Sequence, residues 1–141
     1  MELNYISKSN NMPYYATPES AGMDLSALID CNKISIGPGQ IETINTGVFL
    51  ELPNGYAGFV FIRSSVAKRG LALANGVALI DSDYRGEIKL LIINQSNDWQ
   101  TIHNSDRLAQ LVITPIIRLE LKKVDSLTET KRASGFGSTG R

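Results

Sequence analysis

The chain's rhythm constrains its fold most: short apolar, β-branched runs are broken by turn residues about every 8 to 12 positions. Residues 33–36 and 41–44 flank the turn Gly37-Pro38-Gly39, and residues 46–52 close on Pro53-Asn54-Gly55. Residues 58–62, 90–93 and 100–103 repeat the pattern, and 108–121 extends it, with Pro115 expected at a bulge or edge. Residues 3–6 read as a first strand, and 9–18, with two prolines and two tyrosines, as a loop. Only residues 64–69 suit a helix, one or two turns long. Such a chain predicts an all-β sandwich or barrel.

With 141 residues the chain makes one domain, long enough to bury roughly two-thirds of its unfolded surface without staples. Its 14 basic and 14 acidic residues balance, which argues against nucleic acid or a membrane surface as partner but leaves room for a small anion. Cys31 is the only cysteine and His103 the only histidine, so a disulfide within the chain and a zinc site built from such residues are excluded. Residues 1–10 are too polar for a signal peptide and no apolar run approaches a membrane span, so a cytoplasmic location is expected.

The chemistry concentrates in residues 76–90. Asp81, Asp83 and Arg85, with Tyr84 and Glu87, stand between the apolar runs 77–80 and 90–93, which predicts a hairpin with a polar tip. A carboxylate against buried Ile80 suits a general base, because partial desolvation moves its basicity toward working pH. Both aspartates also make sense as turn residues, and the residues alone do not choose between them.

Further polar clusters lie along the chain. Arg63-Ser64-Ser65 opens the helical stretch, where free N–H groups, hydroxyls and a guanidinium suit phosphate, although a plain serine cap has the same look. Asn75-Gly76 is either a tight turn or a base-reading amide. Asp24 stands after Gly22 in an expected polar loop, as a turn residue or near a metal's waters. Gln110, among apolar neighbours, needs a partner, while Arg107 reads as an ion-pair residue beside Asp106. The tail pairs glycines with one aromatic, Phe136, which is hard to explain as core.

Taken in order, the segments AGMDLSA (21–27), RSSVAKRG (63–70), GVALIDSDYRGE (76–87), RLAQL (107–111) and SGFGSTG (134–140) resemble the motifs of the trimeric all-β dUTPase (dUTP diphosphatase) family. The resemblance spans the chain. It implies a jelly-roll-like β-sandwich or distorted barrel with one short helix, a core over 1–127, a flexible Gly-rich arm over 128–141, and a homotrimer. It implies hydrolysis of dUTP to dUMP and diphosphate with Mg²⁺, which limits uracil in DNA and supplies dUMP for dTMP synthesis.

The resemblance also assigns roles. Arg63, Ser64 and Ser65 hold the α- and β-phosphates, and Ser64 stabilises the leaving bridging oxygen. Asn75, Gly76 and the backbone of Leu79, Ile80 and onward to Lys89 read uracil, and Tyr84 packs on the deoxyribose against a 2′-hydroxyl. Asp81 deprotonates the attacking water, Asp24 meets Mg²⁺ through water, and Gln110 lies near the α-phosphate. In the arm, Phe136 stacks on the base, Gly137, Ser138 and Thr139 close on phosphate, and Arg132 takes the γ-phosphate, with Lys131 the alternative. Lys68 follows Ala67 directly, one residue earlier than the family spacing. A dCTP deaminase resembles this fold but needs a glutamate where this chain has Leu91. A nucleotide-responsive regulatory protein on the same fold is the other alternative, though Asp81 and Phe136 are both retained.

Overall fold

The computed structural model describes residues 2–8, 10 and 12–130. The expected all-β fold is present: among the described residues twelve strands and one helical turn, Ser64–Ala67 (α1), form a jelly-roll-like sandwich. The strands are β1 (Asn4–Ser7), β2 (Tyr14–Tyr15), β3 (Met23–Ser26), β4 (Lys33–Ile36), β5 (Ile41–Asn45) and β6 (Val48–Glu51). They continue as β7 (Tyr56–Ile62), β8 (Leu71–Leu73), β9 (Ala78–Ile80), β10 (Lys89–Asn94), β11 (Gln100–His103) and β12 (Arg107–Pro115). A five-stranded sheet runs β2-β3-β12-β7-β9 and a three-stranded sheet runs β5-β10-β8, with the pairs β1-β6 and β11-β4 beside them. All pairings are antiparallel.

Side-chain alternation fills the space between the sheets. Leu90 and Ile92 on β10 are fully buried, as are Leu25 on β3, Val60 on β7, and Leu108 and Leu111 on β12. Burial of adjacent Leu108 and Ala109 breaks strict alternation, and the register of β12 against β3 shifts there, between Arg107 and Ala109. This bulge matters for the polar face. Arg107 and Gln110 are three apart, so a regular strand would turn them to opposite faces, whereas the extra residue returns both to one face.

The expected hairpin around residues 81–88 does not form. β9 pairs with β7, and β10 pairs with β5 and β8, so the polar turn crosses from one sheet to the other. Two contacts divert it. Gly58 has no side chain where Ile80 packs across it, since a Cβ there would lie 3.2 Å from Ile80 Cβ. At the far end, the Ile88 N–H donates to Val48 O at 2.8 Å, and buried Thr46 donates its hydroxyl to Ile88 O at 2.6 Å. The turn before β9 is also a crossover, from β8, with Gly76 at φ +72°.

Other expectations need correction. Asp24 lies within β3 and is buried, because its sheet partners supply the donors it needs. Ile80 is half-buried and Asp81 exposed, because β9 lies at the edge of its sheet. The strand expected over 108–121 stops at Pro115, which ends β12, and the bulge lies at the other end of the strand. Beyond it, Ile117, Leu119 and Leu121 keep the period-two pattern yet are 88%, 79% and 95% exposed. The two-residue β2 and the three-residue β8 are additions that short apolar alternation did not announce.

Thr46 also accepts the Val48 N–H at 3.2 Å, so Thr46→Val strands two backbone groups in a buried corner. It is expected to lower stability by about 1 to 3 kcal/mol, read from the urea midpoint.

Candidate active site

The polar face of the five-stranded sheet is organised on Asp24. Cross-strand pairing sets Gln110 and Tyr14 directly opposite it, and Arg107 opposite Ser26 two residues on. Gly22 permits the close approach, because a Cβ there would meet Gln110 Cβ at 3.2 Å. The Asp24 side chain is 1% exposed, and three donors converge on it. Arg63 Nε reaches Oδ1 at 3.4 Å, Gln110 Nε2 donates to Oδ1 at 3.3 Å, and an Arg107 guanidinium nitrogen donates to Oδ2 at 3.1 Å. The partner of Arg107 is thus Asp24, whereas neighbouring Asp106 accepts the His103 N–H at 2.8 Å. Arg107 also donates to the Tyr14 hydroxyl at 3.3 Å. That bond, with the charges of Tyr14 and Asp24, holds the guanidinium more firmly protonated than usual.

Arg63 is the N-cap of α1, in an extended conformation with no side-chain cap bond. Ser64 and Ser65 follow, both exposed. Among the described residues neither gives its backbone N–H or hydroxyl to an acceptor, which leaves the donors of this corner open. Lys68 caps the turn and is also exposed.

A second group assembles elsewhere. Asn75, Leu79, Ile80, Asp81, Tyr84 and Lys89 line one open cavity of about 340 Å³ between the two crossovers. Gly76 is next to Asn75 in the turn without lining it. Thr43, Ala78, Glu87, Ile88 and Leu91 complete the wall. Leu91 in this wall is apolar, and Glu87 is engaged, its Oε1 accepting the Gly47 N–H at 2.8 Å. Asp81 also borders a larger cleft of about 700 Å³ with Ser82, Asp83, Asn54 and Arg118. Asp83 borders that cleft and not the smaller cavity, so the two aspartates are not equivalent.

These two groups lie apart in the chain. Gly58 pairs with Ile80, so Asp81 stands near the start of β7 while Arg63 follows its end. At about 3.3 Å per residue the separation is roughly 20 Å. Lys131, Arg132, Phe136, Gly137, Ser138 and Thr139 lie outside the described residues. Among the described residues no three His, Cys, Asp or Glu side chains cluster as a metal site. Sequence reasoning missed Tyr14, which carried no signal in a proline-rich stretch, and the tie between Arg107 and Asp24, which only the bulge makes possible.

Replacing Asp24 by Asn removes the charge that orders two guanidinium groups. A loss of about 2 kcal/mol in unfolding free energy is expected for Asp24→Asn, measured by urea titration.

Comparisons with known proteins bear on the family and the fold. The family model described as dUTPase matches residues 8–140. The deoxyuridine 5'-triphosphate nucleotidohydrolase of Desulfitobacterium hafniense is 51% identical over 136 residues, covering 94% of this chain and 89% of the relative. The enzyme of the same name from Anaplasma marginale is 46% identical, covering 92% and 88%. The structure of the Staphylococcus bacteriophage 80alpha dUTPase with dUpNHpp superposes with a TM-score of 0.87 at 26% identity, covering 99% of this chain and 98% of that one. A mutant dUTPase from phage phi11 of S. aureus, described with a structural Mg(II) ion, gives 0.81 at 25% identity, covering 92% and 100%. A match over nearly the whole length, in both sequence and fold, means that the chain belongs to the dUTPase family.

Proposed function

We propose that this protein is a dUTP diphosphatase that hydrolyses dUTP to dUMP and diphosphate through an Asp81-activated water. The observation that carries the site is the cavity shared by Asn75, Leu79, Ile80, Asp81, Tyr84 and Lys89. Asn75 and the exposed backbone of β9 suit the uracil edge, and Tyr84 walls the sugar. Asp81, on the rim, takes a proton from the water as its oxygen bonds to the α-phosphorus. The bond from that phosphorus to the bridging oxygen breaks, and diphosphate leaves with the electron pair. Ser64 donates to the departing oxygen, Arg63 and Ser65 hold phosphate oxygens, and Gln110 lies by the α-phosphate. The arm over 128–141 closes on the substrate, with Phe136 on the base, Gly137, Ser138 and Thr139 on phosphate, and Arg132 on the γ-phosphate.

Asp81 and Ser64 serve atoms of the same phosphoryl group, which requires contacts of about 3 Å each. Roughly 20 Å of β7 separates them in one chain. The reading therefore needs a second copy to bring one half to the other. The exposed apolar edge of Ile117, Leu119 and Leu121, with no strand partner among the described residues, supports such an assembly, and we take it as a homotrimer.

Mg²⁺ fits as an ion carried on the triphosphate. The oxygens of Asp24 already accept from three side chains, and no described cluster would enclose a cation directly. Asp24 would meet such an ion only through water, and the ion would supply neutralisation of the phosphate charge. In the cell this activity would keep uracil out of DNA and supply dUMP. Cys31, free and exposed, suits the reducing cytoplasm, and no helix among the described residues is long and apolar enough to cross a membrane.

Diphosphate release from dUTP, dCTP, dTTP and UTP with Mg²⁺ tests the reading. Release is expected from dUTP, falling about 10² to 10⁴-fold in Asp81→Asn. Equal release from all four would overturn the pocket assignment of Asn75 and Tyr84. Mixing two inactive variants, Asp81→Asn and Ser64→Ala, tests the shared site. Co-refolded chains are expected to recover part of the activity, and no recovery from verified mixed oligomers would place the whole site in one chain.

A further inference from the structure

Tyr84 is seated from three directions. Its backbone N–H donates to Asp81 O at 3.1 Å, and its hydroxyl donates to Glu87 O at 2.9 Å. The third is an empty space. The ring lies against Gly86, where a Cβ would press on the hydroxyl oxygen and stand 2.5 Å from Cζ and 2.9 Å from Cε2. Real Cβ atoms do not approach other heavy atoms so closely, so any side chain at position 86 displaces the ring by about 1 Å or more.

The seat is rigid because its floor is tied to the core. Glu87 is fixed through its carboxylate to the Gly47 N–H at 2.8 Å, and the next residue, buried Ile88, donates to Val48 O. Tyr84 is 44% exposed, so a push from Gly86 can lift the ring toward solvent. The demand on Gly86 is one of space alone. Its φ is not in the left-handed region that the glycines at 39, 47, 55, 70 and 76 occupy. Alanine there meets no positive-φ strain.

We propose that Gly86 is a specificity-determining position, whose missing side chain seats Tyr84 and thereby sets the room available to the sugar. The inference rests on the reading of Tyr84 as the wall against a 2′-hydroxyl. A wall discriminates only where it stands within contact distance, and a displacement of about 1 Å is enough to cost large factors in selectivity. Gly86 acts through Tyr84 and touches no substrate, so it is a positioning residue.

The test compares kcat/KM for dUTP and UTP in the wild type, Gly86→Ala, Tyr84→Ala, the double variant and Tyr84→Phe, with thermal unfolding of each. The ratio of dUTP to UTP is expected to fall about 10-fold or more in Gly86→Ala. It should fall in Tyr84→Ala, with no further loss in the double variant, because a residue that acts only through another adds nothing once that other is gone. Tyr84→Phe keeps the ring on its seat and should lose only a few-fold. Full discrimination in Gly86→Ala together with its loss in Tyr84→Ala would overturn the role of Gly86 and leave that of Tyr84 standing. Discrimination retained in Tyr84→Ala would sink the sugar-wall reading and this inference with it. A large loss in Tyr84→Phe would overturn the steric seat in favour of the hydroxyl bond, and that variant remains informative if Gly86→Ala fails to fold.

Discussion

The buried carboxylate of Asp24 is the interaction on which the polar face depends. Burying a charge is costly unless it is paired and hydrogen-bonded, and here Arg63, Arg107 and Gln110 all meet it. Each partner comes from a different structural context: the end of β7, the start of β12 and its middle. The carboxylate therefore fixes the position of the β7 end relative to β12, and with it the orientation of the first residues of α1. The bulge in β12 is the backbone condition for this, since without it Arg107 would face away.

The second constraint is the brevity of β9. Three residues pair with β7, and both connections leave for the other sheet. A strand so short cannot hold itself, so its place is set by what flanks it: the bare surface of Gly58 and the capture of Glu87 and Ile88 by the corner between β5 and β6. The cavity is the gap that these two crossovers enclose. Its walls are rigid where they are tied to the core and open where Asp81 and Tyr84 face outward.

Much of this was legible in the sequence. The strands at 33–36 and 100–103 have the bounds that alternation and turn residues mark, because period two and glycine-proline turns are local signals. Asn75, Leu79, Ile80, Asp81, Tyr84 and Lys89 do line one cavity, while Gly76, grouped with them in the sequence, does not. Strand partnership was not legible. Residues 77–93 look like a hairpin because apolar-polar-apolar is the local signature of one, but which strands pair is decided by Gly58, Thr46 and Val48, which lie far away in the chain. Asp24 was misread for a related reason. A single aspartate beside a glycine looks like a loop until its donors, 39, 83 and 86 positions along the chain, are brought to it by the sheet. Gly86 carries no local signal of its role, since its use is the volume it leaves to a ring two residues earlier.

The placement of the two polar groups at opposite ends of β7 has a consequence for how much protein is needed before any chemistry occurs. On the proposed assembly, a lone copy carries a complete fold and half of each reaction centre. Turnover then scales with association as well as with the number of chains, and a dilute pool holds well-formed but silent protein. Expression level would act as a threshold, a form of control that needs no effector and no dedicated regulatory surface.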